Sequence, residues 1–600
     1  MEFDKKTILA FLLIGLILVI VNTDLYQRFV YGDMKKPAPT APITMAPADT
    51  LRLSERHTSP VPSAPAPERP AVDSLAAERA QAREIIVETP LYRATLSTLG
   101  GNLEEWLLKK YTGKDGQPVE LFQPGKGNLA VLLPAAGDTL NLGHLNFECS
   151  ASSVDLPAGA QQELTFTRQV LPGMTVQKTY RFTADSYAFA LQVEISDAKG
   201  LLEGYHYVLE WPAALNSTEK HLKDEMSDTK AYASLGDERI DFDVEENPYK
   251  ERRESDRDIS WAALRTKYFS AAIIARTVPA RGVRFAGVTV PDRDYDGSAT
   301  RLKMYAMAMH MPFARQQTTR HDFDVYAGPL VYDNVKSLGV NLEEIMNLGW
   351  GPIKPFSKIT LWSLIRLHNF IPNYGWVIII FSILVKVILH PLTKKSYESM
   401  KQMQVLQPKM AELREKYGND AQKMNAEMMK MYQEHGVNPL GGCLPMVLQM
   451  PLLYALFVVF RSTIEFRHAP FFGWISDLSA PDTIFTLPFS IPLYGNGVNV
   501  LPLLMGVTMF VQQKMSITDP KQKAMIYLMP VVFTLIFNNL PSGLNLYYAL
   551  FNLFSIIQQK WVANAPAKPP KKDPKKASAL AQFRRFGVNA ALSRNRMLKK

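Results

Sequence analysis

The chain has 600 residues, 67 Lys and Arg against 57 Asp and Glu, a formal net charge of +10, and two cysteines. That length is too great for one ordinary domain, and cysteines as far apart as Cys149 and Cys443 imply no disulfide framework. The ten histidines show no metal-ligand spacing, and neither G-x-x-x-x-G-K-S/T nor G-x-S-x-G occurs, which lowers the expectation of a metal site, a nucleotide-driven machine or a serine hydrolase. No cofactor and no metal are expected.

In chain order, the first segment reads MEFDKKTILAFLLIGLILVIVNTDLYQRF. Lys5 and Lys6 precede an unbroken apolar run, and no small-x-small site closes it. Residues 1–22 are therefore expected to be an uncleaved signal anchor rather than a cleaved leader, with its start in the cytoplasm. Residues 23–84 form a linker, and 37–70 within it are too rich in Pro, Ala, Ser and Thr to bury a core.

From 85 to 340 the apolar period becomes two. In YAFALQVEIS, Phe189, Leu191, Val193 and Ile195 fall on one face, which marks a half-buried strand. LTFTRQV and MTVQKTYRF flank Leu171-Pro172-Gly173, which reads as a hairpin. Repeated strands of this kind predict a large β-sandwich outside the membrane. The densely charged run 237–258 is expected to be a solvated loop, because both signs are interspersed without ligand spacing.

Residues 341–372 are assigned to an interfacial amphipathic helix. Its stretch PFSKITLWSLIRLHN is too short and too charged to cross a bilayer, and Phe356 and Trp362 suit headgroup level. Five apolar runs follow within 373–561, at about 374–390, 440–460, 498–515, 524–540 and 542–561. With the signal anchor they predict six crossings, two of the runs being short for the ~20 residues of a span. Eight Lys and Arg lie in 391–437 and eleven in 561–600, whereas 461–497 holds only Arg461 and Arg467. The positive-inside rule then places both termini in the cytoplasm and the β domain outside. The fold class is thus a multi-domain one: a polytopic α-helical membrane core plus an all-β extracytoplasmic domain.

The cytoplasmic segment 391–437 reads as a helical hairpin, with helices at 396–417 and 421–434 and a bend at Pro408. Residues 396–436 hold seven of the chain's 25 methionines. Met403, Met410, Met424, Met428 and Met431 could form the seam between the helices or an adaptable surface for apolar clients. The basic tail 562–600 suits a ribosome or an anionic lipid surface.

Lys386 interrupts the first of the five runs. It lies four residues from His390, about 6 Å along a helix axis, so snorkelling towards the cytoplasm and a functional charge weigh equally on this helix alone. Ser382 stands one turn earlier on the same face. Other runs carry Gln449, Gln512, Gln513, Tyr547, Tyr548 and Asn552 but no Asp or Glu, so the lysine has no evident counter-ion. A lysine in a hydrated groove is tolerable where one facing lipid is not.

HPLTKKSYESM from His390, VNPLGGCLPMVLQMPLLYALF from Val437, RHAPFFGWISDLSAPD from Arg467, LMGVTMFVQQKMS from Leu504 and PSGLNLYY from Pro541 together resemble the YidC family of bacterial membrane protein insertases, in its Gram-negative form. The resemblance implies six spans, a periplasmic β-supersandwich, no nucleotide, no covalent chemistry, and work both alone and beside the Sec translocon. It implies a hydrophilic groove open to cytoplasm and lipid, in which Lys386 stands where many members have arginine. Ser382 and Tyr548 match its hydroxyl and aromatic positions, with Gln449, Gln512 and Asn552 as further lining. A slide for the client's apolar segment would involve Leu456, Phe457, Phe533 and Phe537. A transporter would instead show repeats and paired midplane ionisable groups, and a carbohydrate-active enzyme a convergent carboxylate pair. The sequence carries neither.

Overall fold

The computed structural model describes residues 72–564, apart from the short segments 136–137, 197–205, 237, 245–247, 295–296, 314–317, 418–419, 436, 438–443, 492–493 and 517–522. The expected signal anchor 1–22, the Pro-rich segment 37–70 and the tail beyond 564 lie outside the described residues.

The linker expected over 23–84 ends in a helix, α1 (Val72–Ala80). Its Ala, Glu and Arg residues are good helix formers, and Glu78 ties it to the β domain through Arg168 at 2.7 Å. The β domain contains three sheets of five, eight and six strands. The hairpin of Gln161–Leu171 and Met174–Thr183 turns at Pro172-Gly173, where Gly173 takes φ 81°, a conformation open to glycine in a Pro-Gly turn. In Ala188–Ser196, Phe189, Leu191, Val193 and Ile195 are buried, as the alternation requires. The eight- and six-stranded sheets face each other: Phe242 stacks on Phe285 with centroids 5.8 Å apart, and Tyr207 reaches His321 Nδ1 at 3.0 Å. The five-stranded sheet packs Trp106 against Phe189 at 5.3 Å.

The charged run 237–258 is not a loop. Glu238–Phe242 and Tyr249–Ile259 are the outermost strands of the eight- and six-stranded sheets. Their charges pair locally, Arg253 with Glu251 at 2.7 Å and Arg252 with Glu254 at 2.8 Å. Charged side chains on an edge discourage pairing with another chain, so a strand can carry them without apolar alternation.

Two short helices, α2 (Leu222–Asp228) and α3 (Tyr332–Lys336), accompany the sheets. Then come α4 (Lys354–His368) and α5 (Tyr374–Val405). On α4, Leu361 and Leu364 face inward, while Phe356, Ile359 and Trp362 are exposed, the two-faced pattern expected of an interfacial helix. Helix α5 continues through Pro391 for 32 residues, so the segment 391–437 does not begin with a break at His390. The bend expected at Pro408 is instead a helix boundary. Leu406 ends α5 and α6 (Gln407–Tyr417) begins beside the proline. A first-turn proline gives up an amide that no helical carbonyl needed. Helix α7 (Ala421–Glu434) is capped by Asp420, whose Oδ1 accepts from Lys423 N at 3.0 Å.

Helices α8 (Leu444–Ser462), α9 (Val500–Ser516), α10 (Lys523–Phe537) and α11 (Ser542–Asn564) complete the core. Among the described residues one helix, α5, is by itself long and apolar enough to cross a membrane; Gln449–Ser462 and Ala524–Phe537 are shorter apolar stretches.

At one end of the bundle, Asn373 donates to Pro470 O, Ser542 to Asp477 O, and Asn538 to Tyr494 O and Gly497 O. The starts of α5, α9 and α11 therefore meet the ends of α8 and α10. At the other end, Gln404 donates to Met515 O and Ser516 to Gln559 Oε1. Successive core helices thus alternate in direction. The β domain docks on the first end: Arg461 pairs with Asp224 at 2.8 Å and Arg467 with Glu219 at 2.6 Å.

Candidate functional site

Lys386 is 8% exposed, on the face of α5 that meets α11. Its Nζ donates to Ser555 Oγ at 2.7 Å and lies 4.3 Å from the centroid of Phe551, over the ring. Ser555 Oγ in turn donates a hydrogen bond to Phe551 O at 2.7 Å. The ammonium is therefore held inward by a hydroxyl and a π face, and it does not snorkel to the helix end.

A second buried lysine shows what full satisfaction looks like. In the β domain, Lys178 Nζ donates to Gly100 O, Asn102 Oδ1 and Leu129 O at 2.8–3.0 Å. Burial still pushes its ammonium down to about 7. Its three donors have three acceptors, which marks a structural role. Lys386 has one acceptor among the described residues, and no carboxylate lies anywhere in the apolar runs.

Ser382 is buried one turn from the lysine but donates back to Ile378 O at 2.7 Å. That i−4 bond satisfies the hydroxyl within its own helix. Tyr548 turns towards α10, with its ring 5.6 Å from Phe537. Tyr547 is the fully buried member of that pair and lies 6.3 Å from Phe381 on α5. Gln512 is half-buried on α9. Gln449 and Asn552 are buried, and their side-chain amide nitrogens find no hydrogen-bond partner among the described residues. Tyr547 OH and Gln513 Oε1 share that condition. Each such group costs about 1–3 kcal/mol when left dry, so the helical core carries an unspent capacity for polar contacts.

Sequence reasoning missed the partners on α11. Gln558 Nε2 donates to Thr393 Oγ1 at 2.9 Å and approaches His390 Nδ1 at 3.0 Å. Ser555, Gln558 and Gln559 follow i, i+3, i+4 spacing, one helix face, and that spacing was the available signal.

The slide residues are not an open surface. Leu456 and Phe537 are buried, and Phe457 and Phe533 are packed against the core. The exposed apolar side chains of α8 and α10 are Met450, Tyr454, Tyr527, Leu528 and Val531. The methionines of the helical hairpin likewise fill a seam. Met410 and Met431 are buried with Leu406, Tyr432 and Val437, Met403 and Met428 pack on that cluster, and Met424 is buried too. They hold α6 against α7, which leaves Met429 as the exposed one.

The junction that positions the β domain is polar and closed. Asp224 lies between Lys267 at 2.6 Å and Arg461 at 2.8 Å, and these cations hold its carboxyl below the usual range against the cost of burial. Nearby Glu465 has both carboxylate oxygens buried. Burial pushes it up to about 7, with Asp333 adding to the shift.

Residues 366–569 match the model of the 60Kd inner membrane protein family, and residues 84–358 match that of the YidC periplasmic domain. With a helical core and a docked β domain, these two matches define an inner-membrane protein with a periplasmic domain. A membrane protein insertase YidC of Prosthecochloris aestuarii is 35% identical over 598 residues, covering 96% of this chain and 99% of the relative. One of Chloroherpeton thalassium is 37% identical over 499 residues, covering 81% and 84%. A crystal structure of an active YidC insertase with its first transmembrane domain resolved aligns over 80% of this chain and 92% of its own, at 19% identity and a TM-score of 0.34. The chain belongs to the YidC family of membrane protein insertases, which are not enzymes.

Proposed function

We propose that this chain inserts nascent membrane proteins into the inner membrane and assists their folding, alone or with the Sec translocon, through a hydrophilic groove whose positive charge is Lys386. The carrying observation is a buried ammonium with one hydroxyl acceptor and no carboxylate in the apolar runs. The same helical core holds buried polar atoms of Gln449, Gln513, Tyr547 and Asn552 that have no hydrogen-bond partner among the described residues.

A charged side chain at the centre of a bilayer costs about 2.5–3.5 kcal/mol on insertion scales. A client's acidic or polar segment that replaces Ser555 at Lys386 gains a charge-assisted hydrogen bond and crosses less hydrocarbon. For this exchange α11 has to yield locally at Ser555. The alternating directions of α5, α8, α9, α10 and α11 support five crossings, and an N-terminal anchor over 1–22 would bring the number to six. The charge bias of the loops supports cytoplasmic termini. The basic tail would meet ribosomes or anionic lipid.

The test is reconstitution of the purified chain with a small single-span client whose translocated segment is acidic, scored by protease protection. Lys386→Arg is expected to retain insertion and Lys386→Glu to lose it. Full activity of Lys386→Ala with every such client would sink the groove charge. Photo-crosslinks from positions 382, 548 and 555 to the client would locate its path.

A further inference from the structure

Between α8 and α9 lies a segment the insertase reading does not use. Strands Thr483–Ile491 and Gly495–Asn499 form an isolated two-stranded ribbon. Residues 483–499 contain no Asp, Glu, Lys, Arg or His. On the outer strand Ile484, Phe485, Phe489 and Ile491 are all exposed, Phe485 by 53% and Phe489 by 61%. Ile484 lies where a bulge shifts the register between Thr483 and Phe485, and it is exposed together with Phe485. A lone two-stranded ribbon is marginally stable in water, and charge-free exposed aromatics on its edge invite aggregation there.

The ribbon is nevertheless rigidly based. Asp482, just before it, accepts from Val500 N at 3.0 Å and Leu501 N at 2.8 Å, the first amides of α9, and from Trp474 Nε1 at 3.0 Å. Asn538, just after α10, donates to Tyr494 O and Gly497 O at 2.8 Å each. The first anchor ties the foot of the ribbon, where Asp482 leads into the outer strand and Val500 follows the inner one, and the second holds the inner strand and the turn before it. The ribbon sits at the bundle end on which the β domain docks, the periplasmic end. Its exposed side chains lead into α9, where Leu503, Leu504 and Val507 are also exposed.

We propose that this ribbon is a membrane anchor whose outer strand lies in the lipid of the periplasmic leaflet, held there at a fixed position beside the mouths of α9 and α10. The occupant of its exposed apolar side chains is lipid, because the surface has no charge with which to select a protein partner and continues the exposed stripe of α9. The inference rests on the reading of α9 as a membrane-crossing helix.

The test uses the full chain with Cys149→Ser and Cys443→Ser, reconstituted in phosphatidylethanolamine and phosphatidylglycerol vesicles. An environment-sensitive fluorophore is placed in turn by Phe489→Cys, by Thr486→Cys, which spares the aromatics, by Val507→Cys on α9, and by Asp258→Cys on the β domain. Labels at 486 and 489 are expected to emit to the blue of the label at 258. They should be quenched by a nitroxide carried on shallow acyl carbons and spared by aqueous iodide, with the reverse at 258. If the label at 507 is lipid-quenched while those at 486 and 489 answer only to iodide, the anchor is overturned and the membrane reading stands. If 507 also answers only to iodide, the membrane reading itself fails. Iodide access at 486 and 489 that is lost only when a client or Sec complex is added would make the ribbon a protein-docking element, and would equally overturn the lipid assignment.

Discussion

Lys386 and Lys178 are both lysines taken out of water, and their hydrogen bonds separate their roles. Lys178 spends three donors on three oxygens, so Lys178→Met is expected to destabilise the β domain by a few kcal/mol through its abandoned carbonyls, read by thermal unfolding. Lys386 spends one donor on Ser555. Ser555→Ala should therefore leave stability within about 1 kcal/mol while changing the client crosslink yield from position 548. Arg467 and Glu219 are 3% and 11% exposed in their side chains. Arg467→Ala leaves a buried carboxylate and should cost about 3–5 kcal/mol, read as increased hydrogen exchange in 217–228. Ser382 shows how a correct helical face can still mislead: i−4 spacing placed it beside the lysine, but the hydroxyl closes on Ile378 O. Periodicity orients a side chain and does not choose its acceptor.

At the scale of elements, the hairpin of α6 and α7 illustrates a composition with two readings. Seven methionines in 396–436 suit both a seam and a client surface, and the contacts place Met410 and Met431 in the seam. Met410→Ala should cost about 2–5 kcal/mol and appear as faster hydrogen exchange across 407–434, with α5 unaffected up to Leu389. An unchanged exchange pattern would mean the seam does not hold the hairpin. The edge strands 238–242 and 249–259 were invisible to periodicity for a physical reason. An edge strand meets solvent and local ion pairs, so it need not alternate. Pro408 was legible as an interruption, but whether proline bends a helix or starts one depends on where the preceding helix stops.

For the whole molecule, the periplasmic junction links stability to pH. Glu465 is at about 7 in the folded chain against an ordinary 4.5. Between those values the folded state keeps a proton that the unfolded state has released, so stability falls as pH rises from about 4.5 to about 7 and then levels off. Glu225, also pushed up to about 7 by burial, adds to the same window, whereas Asp224, held low, loses its contribution only on acidification below its ordinary 3.8. Glu465→Gln is expected to flatten the dependence in part and to raise the unfolding temperature above pH 7 by roughly 2–4 °C per kcal/mol recovered. Melting curves from pH 4.5 to 8 check it, and parallel curves for the two proteins would rule out Glu465 as the group.

The amino-acid order alone determined the division into a β region and a helical core, the five apolar runs, the charge bias of the loops and the lysine inside the first run. Hydrophobic period and charge are local properties, and a bilayer or a sheet face reads them locally. Family membership was equally legible, in stretches such as VNPLGGCLPMVLQMPLLYALF and PSGLNLYY. Only the tertiary structure decided that Lys386 meets Ser555 and Phe551, that Arg461 and Arg467 clasp Asp224 and Glu219, and that the methionines close on each other. The polar pairs among these are 169 to 248 residues apart in sequence. Which distant polar group completes a side chain depends on how helices and sheets are brought together, and no period in the sequence encodes that distance.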